Sequence, residues 1–297
     1  MRIVVSGASG LIGTALVESL RLDGHTVTRL VRREPTRPDE ERWDPATGRL
    51  DPEVLSGVDA VVHLAGAGVG DRRWTSRYKA KLIDSRVDGT TTIATAAARA
   101  EKPPRTLISA SGIDYYGDTG DREIREDAPA GNTFLADLCR AWEGATTPAE
   151  EAGVRVAHLR SSLVLAPSGG LLGRLKPLFM MGLGGSLGTG RQYWPVISLR
   201  DEVAAIRFLI DTDEISGPVN LTAPEQVTNA EFTAEFGRQV HRPTVLRVPA
   251  FALRIALADF ADEGVLSGQR AIPGVLLDHG FTFTDPTVAS ALRYALH

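Results

Sequence analysis

The first fourteen residues constrain the fold more tightly than any later stretch. Ile3, Val4 and Val5 form an apolar run that leads directly into Gly7-Ala8-Ser9-Gly10-Leu11-Ile12-Gly13. Leu11, Ile12, Leu16, Val17 and Leu20 then recur at helical spacing, so the glycines fall where a buried strand becomes a helix. Gly7 suits a tight turn, Gly10 lets the backbone approach a pyrophosphate, and Gly13 lets helix pack closely on strand. A dinucleotide's phosphates would then lie at the positive helix end, against Ser9, Leu11 and Ile12.

Strand and helix signals alternate beyond this unit. Thr26 to Val31, Ala60 to Ala65, Thr106 to Ser109 and Val154 to Leu159 read as buried strands. Helical spacing covers Tyr78 to Ala100 and Phe134 to Glu151. The alternation predicts an α/β fold, a doubly wound parallel sheet of Rossmann type. After Pro167 the character changes. A glycine-rich stretch, Gly182 to Gly190, reads as a mobile loop, and helical spacing returns over Asp201 to Leu209, Asn229 to Val240 and Pro249 to Ala258. Residues 1–166, with 191–222 returning to them, are expected to form the dinucleotide-binding domain. Residues 167–190 and 223–297 are expected to form a smaller, mainly helical unit that closes over the substrate.

The end of the second strand selects the dinucleotide. An acid there suits a ribose 2′-hydroxyl, whereas arginine suits a 2′-phosphate. The acidic position falls on Val31, and Arg32 and Arg33 follow it. Two guanidiniums at that mouth would grip a phosphate bidentately, so the expected cofactor is NADP.

Bulk properties remove other classes. A net charge of −4 over 297 residues gives no electrostatic footprint for nucleic acid or an anionic membrane. The N-terminus runs straight into a core strand without a charged leader, which predicts a cytoplasmic protein. One cysteine, Cys139, excludes an internal disulfide and a cysteine-rich metal site. The expected partner is a small-molecule substrate, and the chain is expected to be a monomer or a homodimer.

These residues resemble the extended short-chain dehydrogenase/reductase superfamily. The glycine motif, His63-Leu64-Ala65-Gly66, Val87-Asp88-Gly89-Thr90 and Tyr116-Gly117 carry the likeness. Trp43 to Gly48, Asp71 to Thr75, Tyr115 to Asp118, Gly188 to Trp194 and Pro249 to Gln269 further resemble a branch called the epimerase family, whose members carry a small C-terminal domain. The resemblance adds Leu64, Ala65 and Gly66 to the cofactor contacts, and Arg160 joins them because ligands of open parallel sheets bind beyond the C-terminal strand ends. It also exposes a departure. Superfamily enzymes use a tyrosine whose pKa is lowered by a lysine four residues later. None of Tyr78, Tyr115, Tyr116, Tyr193 and Tyr294 has such a lysine, and the pair aligns with Phe134 and Leu138. Ser111 or Gly112 takes the serine position, and Arg86 stands where asparagine is usual.

Tyr116 is therefore the first candidate for a replacement proton donor or else an aromatic wall, with Tyr115 and Ser111 beside it. Arg86, on a helix facing the pocket, must meet an acidic neighbour or a substrate anion. Two functions fit. One is an NADP(H)-dependent oxidoreductase or epimerase-like protein acting on a small polar or sugar-nucleotide-like compound. The other is a non-catalytic NADP(H)-binding sensor.

Overall fold

The computed structural model describes all 297 residues. Seven strands form one fully parallel sheet: β1 (Arg2–Ser6), β2 (Thr26–Val31), β3 (Glu40–Arg42), β4 (Ala60–His63), β5 (Thr106–Gly112), β7 (Arg155–Ser161) and β11 (Gly217–Leu221). The two-residue β6 (Glu123–Ile124) lies outside it. The spatial order β11-β7-β5-β4-β1-β2-β3 reverses between β1 and β4, the switch point of a doubly wound sheet. The expected fold class is the observed one.

Alternate residues of each strand feed opposite faces. Ile3, Val5, Ala60, Val62, Ile108 and Leu159 pack with Leu16 and Leu20 of α1 (Leu11–Leu22) and with Val203, Ile206 and Leu209 of α6 (Leu199–Asp211). Val4, Val61, Leu107 and Val156 pack on the other face with Ile93, Ala94 and Ala97 of α2 (Ser76–Arg99) and with Ala149 of α4 (Thr147–Glu151). The expected helix over Phe134 to Glu151 is broken into α3 (Phe134–Gly144) and α4. Pro148 explains the break, because it has no amide hydrogen to continue the ladder and sits instead in the first turn of α4.

A second core joins Leu172 and Phe179 of α5 (Gly170–Met180), Phe232 and Phe236 of α7 (Asn229–Gln239), and Val288, Ala291 and Leu292 of α10 (Val288–Leu296). Phe179 stacks on Phe236 with centroids 4.0 Å apart. Short parallel pairs stitch this unit to the sheet: β8 (Leu163–Leu165) with β10 (Val196–Ser198), and β6 with β13 (Arg270–Ala271). The glycine-rich stretch is not a plain loop. It holds β9 (Gly185–Leu187), paired with β12 (Leu246–Val248), and a side chain at Gly185 would collide with the Leu246 backbone. Glycine there serves close strand approach, a use that composition alone reads as looseness. Between β12 and the C-terminal helix lie α8 (Ala250–Leu257) and α9 (Gly274–Asp278), and Leu276 of α9 and Phe281 return to the first core. No helix is long and apolar enough to cross a membrane.

The strand-to-helix turn at the switch point tolerates no side chain. Gly7 has φ 69°, and a β-carbon there would lie 2.6 Å from the Leu64 carbonyl carbon; at Gly13 it would overlap the Gly7 carbonyl oxygen. Gly13→Ala should cost about 1–3 kcal/mol through this overlap, read as a Tm several degrees below wild type in a thermal melt.

Candidate functional site

The turn after β1, the end of β2, the start of β3 and the loop after β4 enclose a cleft of about 580 Å³. Its wall holds Gly7, Ser9, Gly10, Arg32, Arg33, Leu64, Ala65 and Gly66, so eight of the twelve sequence-predicted cofactor residues converge there. Leu11, Ile12 and Gly13 stand behind it as the first turn of α1. That turn has Gly10 as N-cap, no side-chain cap and no acidic residue, leaving its amide hydrogens free for an anion. Val31, Trp43 and Pro45 line the apolar part of the cleft, where a flat ring system fits.

The charge at the β2 end differs from the sequence expectation of two free guanidiniums. Arg33 donates bidentately to Glu40, at 2.8 Å to each oxygen. Thr36 adds its amide at 2.9 Å, and these bonds, Arg33 first, hold the Glu40 carboxyl down at about 2. Arg29 is likewise held by Asp39 at 2.8 and 3.0 Å. Arg32 and Lys81 are the cations of the lining left without an ion-pair partner. The site thus offers one guanidinium and one ammonium to a phosphate, and Arg33 shapes the loop that follows Arg32 while Lys81 projects from α2.

The floor is neutral. His63 shares a 2.6 Å hydrogen bond with Ser6, and complete burial pulls its pKa down to about 3. It packs against Gly89 of α2 and edge-on to Trp43. A neutral imidazole here supports the cleft without opposing its cations.

The expected catalytic residues lie together, but in a structural network. Arg160, 3 % exposed, pairs bidentately with Glu143 at 2.9 Å through both Nε and Nη2. Its Nη1 donates to the Tyr116 hydroxyl at 2.8 Å and to the Glu126 carbonyl at 3.1 Å. Burial opposes the charge on Arg160, yet the Glu143 bonds outweigh it and raise its pKa. Its guanidinium is fully engaged there and Arg160 does not line the dinucleotide cleft, contrary to the expectation from its place at a strand end. Tyr116 donates to Asn220 at 2.7 Å, is 4 % exposed, and burial pushes its pKa up to about 12. With its hydroxyl engaged on both sides and its proton held so tightly, Tyr116 is a pillar between β5 and β11 and not a neutral-pH donor. Ser111 donates to Glu143 at 2.7 Å. Tyr115 is half-buried, its ring lying 3.4 Å under the Arg160 guanidinium. Phe134 and Leu138, at the usual tyrosine and lysine positions, pack with Trp74, Tyr78 and Leu82.

Two groups, Asp114 and Glu202, escaped the sequence reading, and Arg86, which it singled out, lacks the acidic partner that was one of its two expected neighbours. Asp114, in the short turn after β5, accepts no hydrogen bond from a neighbouring side chain, and burial pushes its carboxyl up to about 6. Arg86 is buried on α2 with no carboxylate in ion-pair contact. Glu202, under Ser161 at 2.6 Å, is raised by burial to about 8 and stays protonated at neutral pH. No short motif encodes these states, because each depends on what the fold places around the group.

Tyr116→Phe should therefore act on stability. The variant leaves Asn220 Oδ1 and one Arg160 donor unsatisfied, at a cost of about 1–3 kcal/mol in denaturant unfolding. Dinucleotide affinity should stay within twofold of wild type, and a large loss of affinity without a loss of stability would contradict this assignment.

Comparison with known proteins agrees with this architecture. Residues 3–221 match the NAD dependent epimerase/dehydratase family and residues 248–295 match a domain of unknown function, DUF1731. Epimerase family protein Mb2239 of Mycobacterium bovis is 51 % identical over 293 residues, covering 99 % of this chain and 97 % of that one. The crystal structure of human epimerase family protein SDR39U1 with NADPH superposes with a TM-score of 0.92 at 31 % identity, over 100 % of this chain and 99 % of that one. A nucleoside-diphosphate sugar epimerase from Corynebacterium glutamicum gives 0.83 at 34 % identity, this chain spanning 58 % of its length. The chain belongs to the NAD dependent epimerase/dehydratase family, with a DUF1731 domain at its C-terminal end.

Proposed function

We propose that the protein is an NADP(H)-dependent oxidoreductase acting on a small polar carbonyl or hydroxyl compound. The observation that carries this reading is the cleft itself, whose unpaired Arg32 and Lys81 stand at the β2 mouth beside an uncapped helix N-terminus. That set suits a 2′-phosphate at one end and a pyrophosphate at the other. The related human chain, 31 % identical, was crystallised with NADPH. When bound, NADPH supplies a hydride.

The residues of this chain then have distinct tasks. Gly7 and Gly10 let backbone approach the pyrophosphate, Gly66 and Ala67 border the route toward the far end, and Ser85 of α2 flanks it. Asp114, whose carboxyl burial raises to about 6, is our candidate for the group that holds and releases a proton in place of the missing tyrosine and lysine. Epimerisation would need oxidation and re-reduction on a resident oxidised cofactor, usually NAD, so the 2′-phosphate site favours a net redox step.

A cofactor-sensing role is favoured by one observation, the apolar Phe134 and Leu138 at the usual proton-transfer positions. Substrate-dependent NADPH oxidation across a panel of carbonyls and sugar nucleotides separates the readings. Silence throughout would favour sensing.

Fluorescence titration with NADPH and NADH in parallel tests the cofactor assignment. NADPH should bind more tightly, and Arg32→Ala should weaken it by roughly 10- to 100-fold while leaving NADH nearly unchanged. Equal affinities for the two dinucleotides would overturn it.

A further inference from the structure

Arg86 differs from the other deeply buried charged side chains of known partner. Arg160 has Glu143, Glu40 has Arg33, and Asp285 has Arg200. Arg86 is 8 % exposed, and its only hydrogen bond runs from Nη1 to the Leu82 carbonyl at 3.2 Å, within its own helix. A guanidinium so far from water normally requires an anion. Its Nε and Nη2 find no acceptor in the protein, yet neither is sealed from solvent. Together they form an unsatisfied two-pronged donor edge.

The surroundings fix that fork in place. The guanidinium lies over the Trp142 indole, 4.7 Å from the ring centroid, and its carbon would be 3.5 Å from a side chain at Gly66. Gly66 lines the dinucleotide cleft, so the Arg86 guanidinium packs directly behind that stretch of the cleft wall. Asp114 approaches from the turn after β5, near enough to interact with Arg86 through space without forming an ion pair. The other ionisable groups facing the two are Cys139 of α3, Tyr78 of α2 and Glu263 from the turn before β13. Burial pushes the Cys139 thiol up to about 12 and raises Tyr78, so both stay neutral. Glu263 is occupied by the Leu135 amide at 2.9 Å.

We propose that Arg86 is a carboxylate receptor, and that the substrate end takes a small 2-oxo or 2-hydroxy acid with Asp114 beside its C2 oxygen. A planar carboxylate matches a fixed guanidinium fork. The proposal rests on the oxidoreductase reading for its chemistry. In the reducing direction a hydride from the reduced nicotinamide forms the C2–H bond, the C2=O π electrons move to oxygen, and Asp114 gives that oxygen its proton. The 2-hydroxy acid leaves, and the Asp114 carboxylate regains a proton from water.

Binding itself supplies a readout independent of turnover. Pyruvate is an anion throughout the range from pH 5 to 8, while Asp114 is neutral below about 6 and negative above it. Ionised Asp114 repels the bound carboxylate, so affinity should fall as pH rises through that value.

The test is calorimetric titration of pyruvate into the full chain, with and without NADPH, at several pH values, for wild type, Arg86→Gln and Asp114→Asn. Wild type should bind pyruvate more weakly at high pH. Arg86→Gln should lose at least tenfold in affinity, and Asp114→Asn should bind with the pH dependence flattened. NADPH titration of each variant reports on folding and on the cofactor reading separately. Pyruvate binding at Arg86 in a chain that binds no NADPH would sustain the receptor and overturn the oxidoreductase reading. No pyruvate binding by wild type, binding unchanged in Arg86→Gln, or displacement of pyruvate by NADPH would overturn the receptor.

Discussion

Everything in the site follows from a backbone-to-backbone contact at the centre of the sheet. The turn after β1 touches the Leu64–Ala65 peptide, where a β-carbon on Gly7 would come within 2.6–2.8 Å of three backbone atoms. Only a residue without a side chain, at φ 69°, brings the two strand ends so close. The consequence is geometric. Because the sheet reverses between β1 and β4, their connections diverge to opposite faces and leave a crevice above that contact. Gly13 then seats α1 against the turn, which aims the free amides of the helix into the crevice.

A polar core backs the site on the β5, β7 and β11 side. Glu143, Arg160, Tyr116 and Asn220 form a continuous chain of hydrogen bonds from α3 across three strands. Asn220 continues it to the Ile272 carbonyl at 3.0 Å, and Glu126 accepts the amides of Asn220 and Val275 at 3.1 Å each. The small C-terminal unit is thereby fastened to the sheet edge by groups that are costly to leave unpaired. Tyr116 and Arg160 belong to this fastening. Asp114 and Arg86 stand outside this network.

Much of this was legible in the sequence where the signal is local. The apolar run before Gly7 and the 3.6-residue spacing after Gly10 are contiguous, and the structure places β1 and α1 there. The long helix through Arg86 and the alternation of strands and helices were legible for the same reason. Long-range pairing was not. Arg33 looks free in sequence because Glu40 lies seven residues on, and only the fold-back of the β2–β3 connection, which sets Glu40 beside Arg29 in the ladder, also brings it to Arg33. Gly185 reads as loop because a glycine in a ladder is indistinguishable by composition from a glycine in a linker. Asp114 escaped because its proton affinity belongs to its burial and not to its neighbours in the chain.

The most direct test of the central claim is phosphorus NMR of NADP⁺ bound to the protein, followed through a pH titration. The 2′-phosphate of a free nucleotide loses its second proton at roughly pH 6. Held by Arg32 and Lys81, it should remain dianionic well below that, and its resonance should stay flat while the free nucleotide's moves. A bound 2′-phosphate that titrates like the free one would show that these cations do not hold it, and the account of the cleft would fail at its selective end.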